Sequence, residues 1–114
     1  MNIQERTFQF ACRIVRMCRI LWRDRTARPL SYQLLDSGTS IGSNLEEAEA
    51  GQSKADFIAK CRGFLKEARE TLYWLRLIAA TNVVRPKRIA ALTQEANEIV
   101  AILTTIAKKT NPRN

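Results

Sequence analysis

Small and apolar residues recur along this chain at alternating steps of three and four, the spacing of helices that bury one face. Leu34, Gly38, Ile41, Leu45 and Ala48 make one such series, and Ile58, Cys61, Leu65, Ala68, Leu72, Leu75 and Ala79 make a second. Gly51 breaks the pattern between them, and Ser53 with Asp56 three residues on reads as an N-cap and its acidic partner. A turn this short makes the two helices antiparallel neighbours. Ile89, Leu92, Ala96, Ile99, Leu103 and Ile106 form a third series. In the first helix Phe8, Ala11, Val15, Cys18 and Trp22 read as the centre of the apolar face, widened by Phe10, Ile14, Met17 and Leu21. That arc is broader than one bundle core needs. The helix is either wedged between neighbours or meets another subunit with its flank.

The elements predicted are helices over residues 3–23, 29–50, 54–81 and 86–109. Pro29 and Pro86 suit first turns, where the missing N–H costs nothing, and Asn82 ends the third helix. Residues 24–28 read as a polar loop, and residues 110–114 are expected to fray. The fold class is all-α, an antiparallel up-down-up-down four-helix bundle forming a single domain over residues 1–114.

Two places strain that simple picture. Gly38 and Gly42 interrupt the second helix, each at a cost of roughly 1 kcal/mol relative to Ala. Close approach of a neighbouring helix is the expected compensation. A phosphate-binding loop is excluded, since there is no GxxxxGK[ST] and no preceding strand. Asn44 borders the core face and is expected to be a buried, hydrogen-bonded group that fixes register rather than a catalytic amide. The second place is the end of the third helix, where Tyr73, Trp74, Leu75, Leu77, Ile78 and Ala79 point all round. A subunit interface at Tyr73, Trp74, Leu77 and Ile78 is the favoured expectation, because Trp and Tyr concentrate at interfaces. Burial under the connection to the fourth helix is the other.

Charge adds a partner to the picture. The net charge of +8 is uneven: residues 1–30 hold seven Arg against two acids, and residues 81–114 six bases against two. Arg6, Arg13, Arg16, Arg19 and Arg23 gather opposite the apolar face of the first helix. This stripe is either a phosphate-binding line or a solvated face. With the charge balance it favours an anionic partner, RNA or DNA before a membrane surface. No apolar run spans a membrane, Glu5 and Arg6 interrupt any signal-peptide core, and a cytoplasmic location is expected.

Catalytic chemistry finds no foothold. Histidine is absent, which removes the commonest general base and zinc ligand. Cys12, Cys18 and Cys61 lack CxxC spacing and read as buried free thiols of a reducing compartment, with Cys12 and Cys61 on apolar faces. Glu46, Glu47 and Glu49 are expected to bridge Lys54 and Lys60 rather than hold metal. No catalytic residue, no metal and no cofactor is expected.

The stretch Ser40-Ile41-Gly42-Ser43-Asn44, then Glu47-Ala48, Ser53, Asp56-Phe57-Ile58, Lys60, Lys66-Glu67-Ala68, Glu70-Thr71 and Tyr73-Trp74-Leu75 resembles the four-helix-bundle family of 23S rRNA intervening-sequence proteins. Residues 95–103 resemble the family's last helix. Asp36 stands where the family often has a basic residue, and residues 24–28 lack the proline common in that loop. Members are encoded within inserts of 23S rRNA genes. Distant relatives are accessory proteins of diversity-generating retroelements, which form homopentameric rings and bind a reverse transcriptase and nucleic acid. The resemblance implies a homo-oligomer, a pentamer, and the lack of His and of any paired nucleophile and base implies a non-enzymatic role. Two functions remain: a basic oligomer binding RNA or other nucleic acid through phosphate contacts, or an oligomeric protein–protein adaptor, for example for a nucleic-acid enzyme, with no nucleic-acid contact of its own.

Overall fold

The computed structural model describes residues 2–51 and 53–109. The expected fraying of residues 110–114 lies outside them. Four helices follow one another: α1 (Ile3–Leu21), α2 (Arg28–Glu49), α3 (Lys54–Ala80) and α4 (Pro86–Lys108), with a 3-10 turn at Arg25–Ala27 before α2. Each boundary lies within two residues of its predicted place. Ser53 caps α3 by accepting the Asp56 N–H at 3.1 Å, and Pro lies in the first turns of α2 and α4. Asn82 takes a left-handed φ of 58° just past α3, which stops the helix as a C-terminal glycine would.

Each helix packs on its chain neighbour, and α1 closes on α4. Contacts run in opposite directions along α1 and α2: Thr7 faces Gly42, Ile14 faces Gly38, and Cys18 bonds Ser31. The glycines serve the close approach expected of them. A Cβ on Gly38 would stand 2.9 Å from both γ carbons of Ile14, and one on Gly42 would stand 3.3 Å from the Thr7 carbonyl oxygen. Backbones this near exchange the lost helix propensity for tighter packing of α1 on α2.

The core is one cluster drawn from all four helices; Leu34, Ile41, Leu45 and Ala48 of the α2 series lie in it, and Gly38 is buried. On α1 the buried line is Phe10, Ile14, Met17 and Leu21, with Cys18. Phe8, Val15 and Trp22, expected at the centre of that face, are exposed. Ile14 fits Gly38 and Thr7 fits Gly42, and that match rotates the helix toward the other line. Polar register comes from groups the sequence left unremarked. The buried Ser37 and Thr71 hydroxyls meet at 3.0 Å between α2 and α3, and buried Ser31 donates to the Cys18 carbonyl at 3.2 Å. Asn44, expected in that role, is exposed. No helix among the described residues is long and apolar enough to cross a membrane.

Candidate nucleic-acid interface

The five arginines of α1 do not form one free line. Arg6 donates from Nε and one terminal nitrogen to Glu95, each at 2.8 Å, and also to Glu98 at 2.8 Å. It clamps α1 to α4, and the same bonds hold the Glu98 carboxyl below the usual carboxylate range. Arg13 lies two turns on from Arg6 and is half-buried; Arg16, Arg19 and Arg23 are exposed. At about 100° per residue the set spreads from the α4 flank to the α2 flank.

The topology gathers cations elsewhere. In an up-down-up-down bundle the α1–α2 and α3–α4 connections lie at the same end. That end holds Arg19, Arg23, Arg25, Arg28, Arg76, Arg85, Lys87 and Arg88, all exposed. Between residues 19–28 and 76–88 the sole carboxylate is Asp24. It is turned into its own loop, accepting the Thr26 hydroxyl at 2.7 Å and the Thr26 N–H at 2.9 Å, bonds that lower its pKa. None of the eight cations joins an ion pair among the described residues.

Backbone dipoles reinforce the charge. The α2 and α4 N-termini open at this end, and their N-cap residues, Ala27 and Arg85, make no side-chain cap bond. Pro86 has no N–H, the Arg88 N–H is bonded to the Arg85 carbonyl, and α2 continues a 3-10 turn capped by Asp24, so it is the positive dipole ends that favour anions here. Lys87 and Arg88 sit where helices prefer acids, so the α4 dipole does not favour either charge there.

Beside the basic end a shallow groove runs between α1 and α2, lined by Val15, Cys18, Arg19, Trp22, Ser31, Tyr32 and Leu35. Trp22 is 47% exposed and Tyr32 69%. The Arg28 guanidinium lies 5.4 Å from the centre of the Trp22 ring while its Nε donates to the Trp22 carbonyl at 2.8 Å.

The surface expected at the end of α3 is mostly closed. Ile78 is fully buried, Trp74 and Leu77 are half-buried, and Val84 of the following connection packs into the core. Tyr73 remains 56% exposed, its ring edge-on to Trp74. Val83 and Val84 of the connection pack against the core, and the other large apolar side chains left exposed are Phe8, Val15, Trp22, Tyr32 and Leu35. Of the motif residues, Ile41 and Gly42 are buried and Ser40 bonds the Asp36 carbonyl within its own helix.

Two smaller expectations also change. Lys60 pairs with Asp56 at 3.0 Å, one turn away on its own helix, and not with the glutamates of α2. Glu49 instead accepts a bond from Gln4. Cys18 and Cys61 are buried, and burial pushes both thiols up, whereas Cys12 is half-buried. Among the described residues no group of three or more acidic or thiol side chains is placed to hold a metal ion.

The basic end was missed in the sequence because its members come from two segments some sixty residues apart. The signal was present in the run of bases around Pro86, which opens a helix without a capping side chain.

The family profile described as 23S rRNA-intervening sequence protein matches residues 1–105, and the chain belongs to that family. Among solved structures it is similar to a protein of unknown function from the S23 ribosomal protein family of Bacteroides thetaiotaomicron. The two are 39% identical, with a TM-score of 0.86, over 94% of this chain and 99% of the other. No curated protein matches the sequence.

Proposed function

We propose that this member of the 23S rRNA-intervening sequence protein family binds nucleic acid through phosphate contacts at the basic end of its bundle, as a homo-oligomer and without catalysis of its own. The observation that carries the reading is the cluster of eight exposed cations, without an ion pair among the described residues, around the N-termini of α2 and α4, with Asp24 the one carboxylate in the same two segments. Arginine dominates it, and the planar guanidinium donates two bonds at once to a phosphate. The family's description names 23S rRNA, which agrees in kind.

Binding of this type releases counterions. Affinity for a labelled RNA hairpin should fall linearly on a log–log plot against salt, by roughly 0.7 to 0.9 per phosphate neutralised. A salt-independent affinity, or no affinity at low salt, defeats the reading.

Self-association is supported by apolar side chains left exposed outside the groove between α1 and α2, Phe8 on α1 and Tyr73 on α3. Light scattering at micromolar concentration should return a multiple of the 13.0 kDa chain, five by the resemblance. A monomer removes the oligomer from the proposal. The same exposed apolar side chains favour the second reading, an adaptor for a protein such as a nucleic-acid enzyme. Partner capture that survives nuclease treatment, by a protein that binds no RNA, would put that reading first.

A further inference from the structure

We infer that the groove between α1 and α2 stacks the unpaired bases of single-stranded nucleic acid on Trp22 and Tyr32, while the basic end beside it holds the phosphates. The inference rests on the nucleic-acid reading and adds the form of ligand that the site selects.

The aromatic placement is the first reason. Trp22 sits where α1 ends, and Tyr32 stands on the first turns of α2, so both border the cationic end. Both are large rings left open to water, an arrangement that gains nothing for folding. Trp22 is also held. The Arg28 bond to its carbonyl and the guanidinium near its ring fix the position of that residue before any ligand arrives. An exposed ring held in place loses little entropy on binding.

Charge complementarity is the second reason. Arg19 is the one charged side chain lining the groove, Arg28 lies against Trp22, and exposed Arg23 and Arg25 follow Trp22 in the connection to α2. Asp36, the nearest acid on α2, follows Leu35 at the opposite end from Trp22. A flexible strand suits this gradient, with bases against the rings and backbone toward the arginines. A second copy docked two-fold through this groove does not, since it would set Arg19 and Arg28 against their own counterparts. A duplex does not either, since its base faces are already stacked and only its phosphates can be reached.

The test compares a short oligouridine with an RNA hairpin whose strands are joined by a base-free linker, each fluorescently labelled, at one salt concentration. The parent should prefer the single strand. Trp22→Ala with Tyr32→Ala should lose roughly 5- to 150-fold in affinity for oligouridine. Its affinity for the hairpin, its salt slope and its molar mass should be unchanged. Trp22→Phe should keep most of the parent's preference. A second measurement needs no groove variant: in Trp74→Phe, where Trp22 is the remaining tryptophan, emission should quench on adding oligouridine and not on adding hairpin. Equal affinity of parent and double variant for oligouridine overturns the inference, as do equal losses for both probes, absence of selective quenching, or a change in molar mass. If the parent binds the hairpin with a steep salt slope but Trp22 and Tyr32 are irrelevant, the inference falls alone. If the parent binds neither probe, the nucleic-acid reading falls with it.

Discussion

At one end of the bundle α1 and α3 begin under caps: Asn2 accepts the Glu5 N–H at 2.8 Å, and Ser53 accepts that of Asp56 at 3.1 Å. At the other end α2 and α4 begin with no side-chain cap and with arginine in or beside the first turn. The capped end mixes Glu5, Glu46, Glu47, Glu49 and Asp56 with Lys54, Lys60, Lys108 and Lys109; the uncapped end is cationic apart from Asp24. The long axis is 46 Å, several times the screening length of about 8 Å at physiological salt, so each end presents its own field. Where the chain needs only stability it satisfies its own helix termini. Where it leaves them open, it also concentrates like charge, at a cost that folding alone does not require.

The largest expected effect comes from erasing that difference. Changing Arg23, Arg25, Arg28 and Arg88 together to Glu should lower RNA affinity by about two to three orders of magnitude at physiological salt, with unchanged helical circular dichroism. Changing Glu46, Glu47 and Glu49 to Gln at the capped end should leave affinity within about twofold. Equal sensitivity at the two ends would mean that total charge, and not its placement, governs binding.

The contrast also presumes that α1 and α2 stay locked along their length. Gly38→Ala places a methyl 2.9 Å from the branched, fully buried Ile14 side chain, which has no room to retreat. Overpacking should outweigh the gain in helix propensity and destabilise the protein by about 1–2 kcal/mol. Gly63→Ala is the matched control. It has nothing within 4 Å of the new methyl and should stabilise by about 0.5–1 kcal/mol. Chemical denaturation of the pair should give shifts of opposite sign. A Gly38→Ala variant as stable as the parent would show that α1 and α2 are not held at this distance.

A pH experiment separates the ends differently. Arg6 ties α1 to α4 through Glu95 and Glu98, well away from the two cationic connections. The Glu98 pKa is lowered, first by its bond to Arg6 and then by Gln94. A carboxylate depressed in the folded state stabilises fully above its ordinary value of 4.5, and the contribution is lost as pH falls through the lower, folded value. Arg6→Ala should cost about 1 kcal/mol at neutral pH, chiefly through the less exposed Glu95 partner, or a few degrees in Tm. The acid-side decline in Tm should flatten, and salt-dependent RNA binding should persist. An unchanged acid limb would remove the clamp as its cause.

How much of this was legible in the sequence follows from the range of each signal. Helix ends are local: Ser53, Pro29, Pro86 and Asn82 mark theirs within a few residues. The face of α1 is not local. Its two apolar lines, through Phe8 and Trp22 and through Phe10 and Leu21, have similar hydrophobicity. The choice is made by the small side of α2 at Gly38 and Gly42, which is a property of the pair. Arg6 looked like one cation among five because its partners lie 89 and 92 residues away. Asn44 looked buried by position alone, whereas Ser37 and Thr71, each unremarkable in its own helix, meet only when α2 and α3 pack.

The smallest expected effect is the sharpest probe of why the two ends differ. Arg85 is the N-cap of α4, with φ −58° and ψ 129°, and its side chain makes no cap bond. Pro86 follows without an N–H to satisfy, and the Arg88 N–H already donates to the Arg85 carbonyl at 2.9 Å. In Arg85→Asp the new carboxylate should reach the Lys87 N–H. It should also sit well at the positive end of the helix and offset the neighbouring Lys87 and Arg88. Stability should rise by about 0.5–1 kcal/mol, read as a higher denaturation midpoint with an unchanged slope. RNA affinity should fall by about tenfold, because one cation is replaced by an anion beside the phosphates. Ser53→Ala at the capped end should do the reverse in part, lowering stability by about 1 kcal/mol while leaving affinity unchanged. If Arg85→Asp gains stability and keeps full affinity, the open terminus of α4 is no part of the binding surface, and phosphate contacts would have to be sought around Arg23 and Arg28. If it loses stability, the arginine makes a contact that the end requires for folding, and the opposition between the two ends would rest on charge alone.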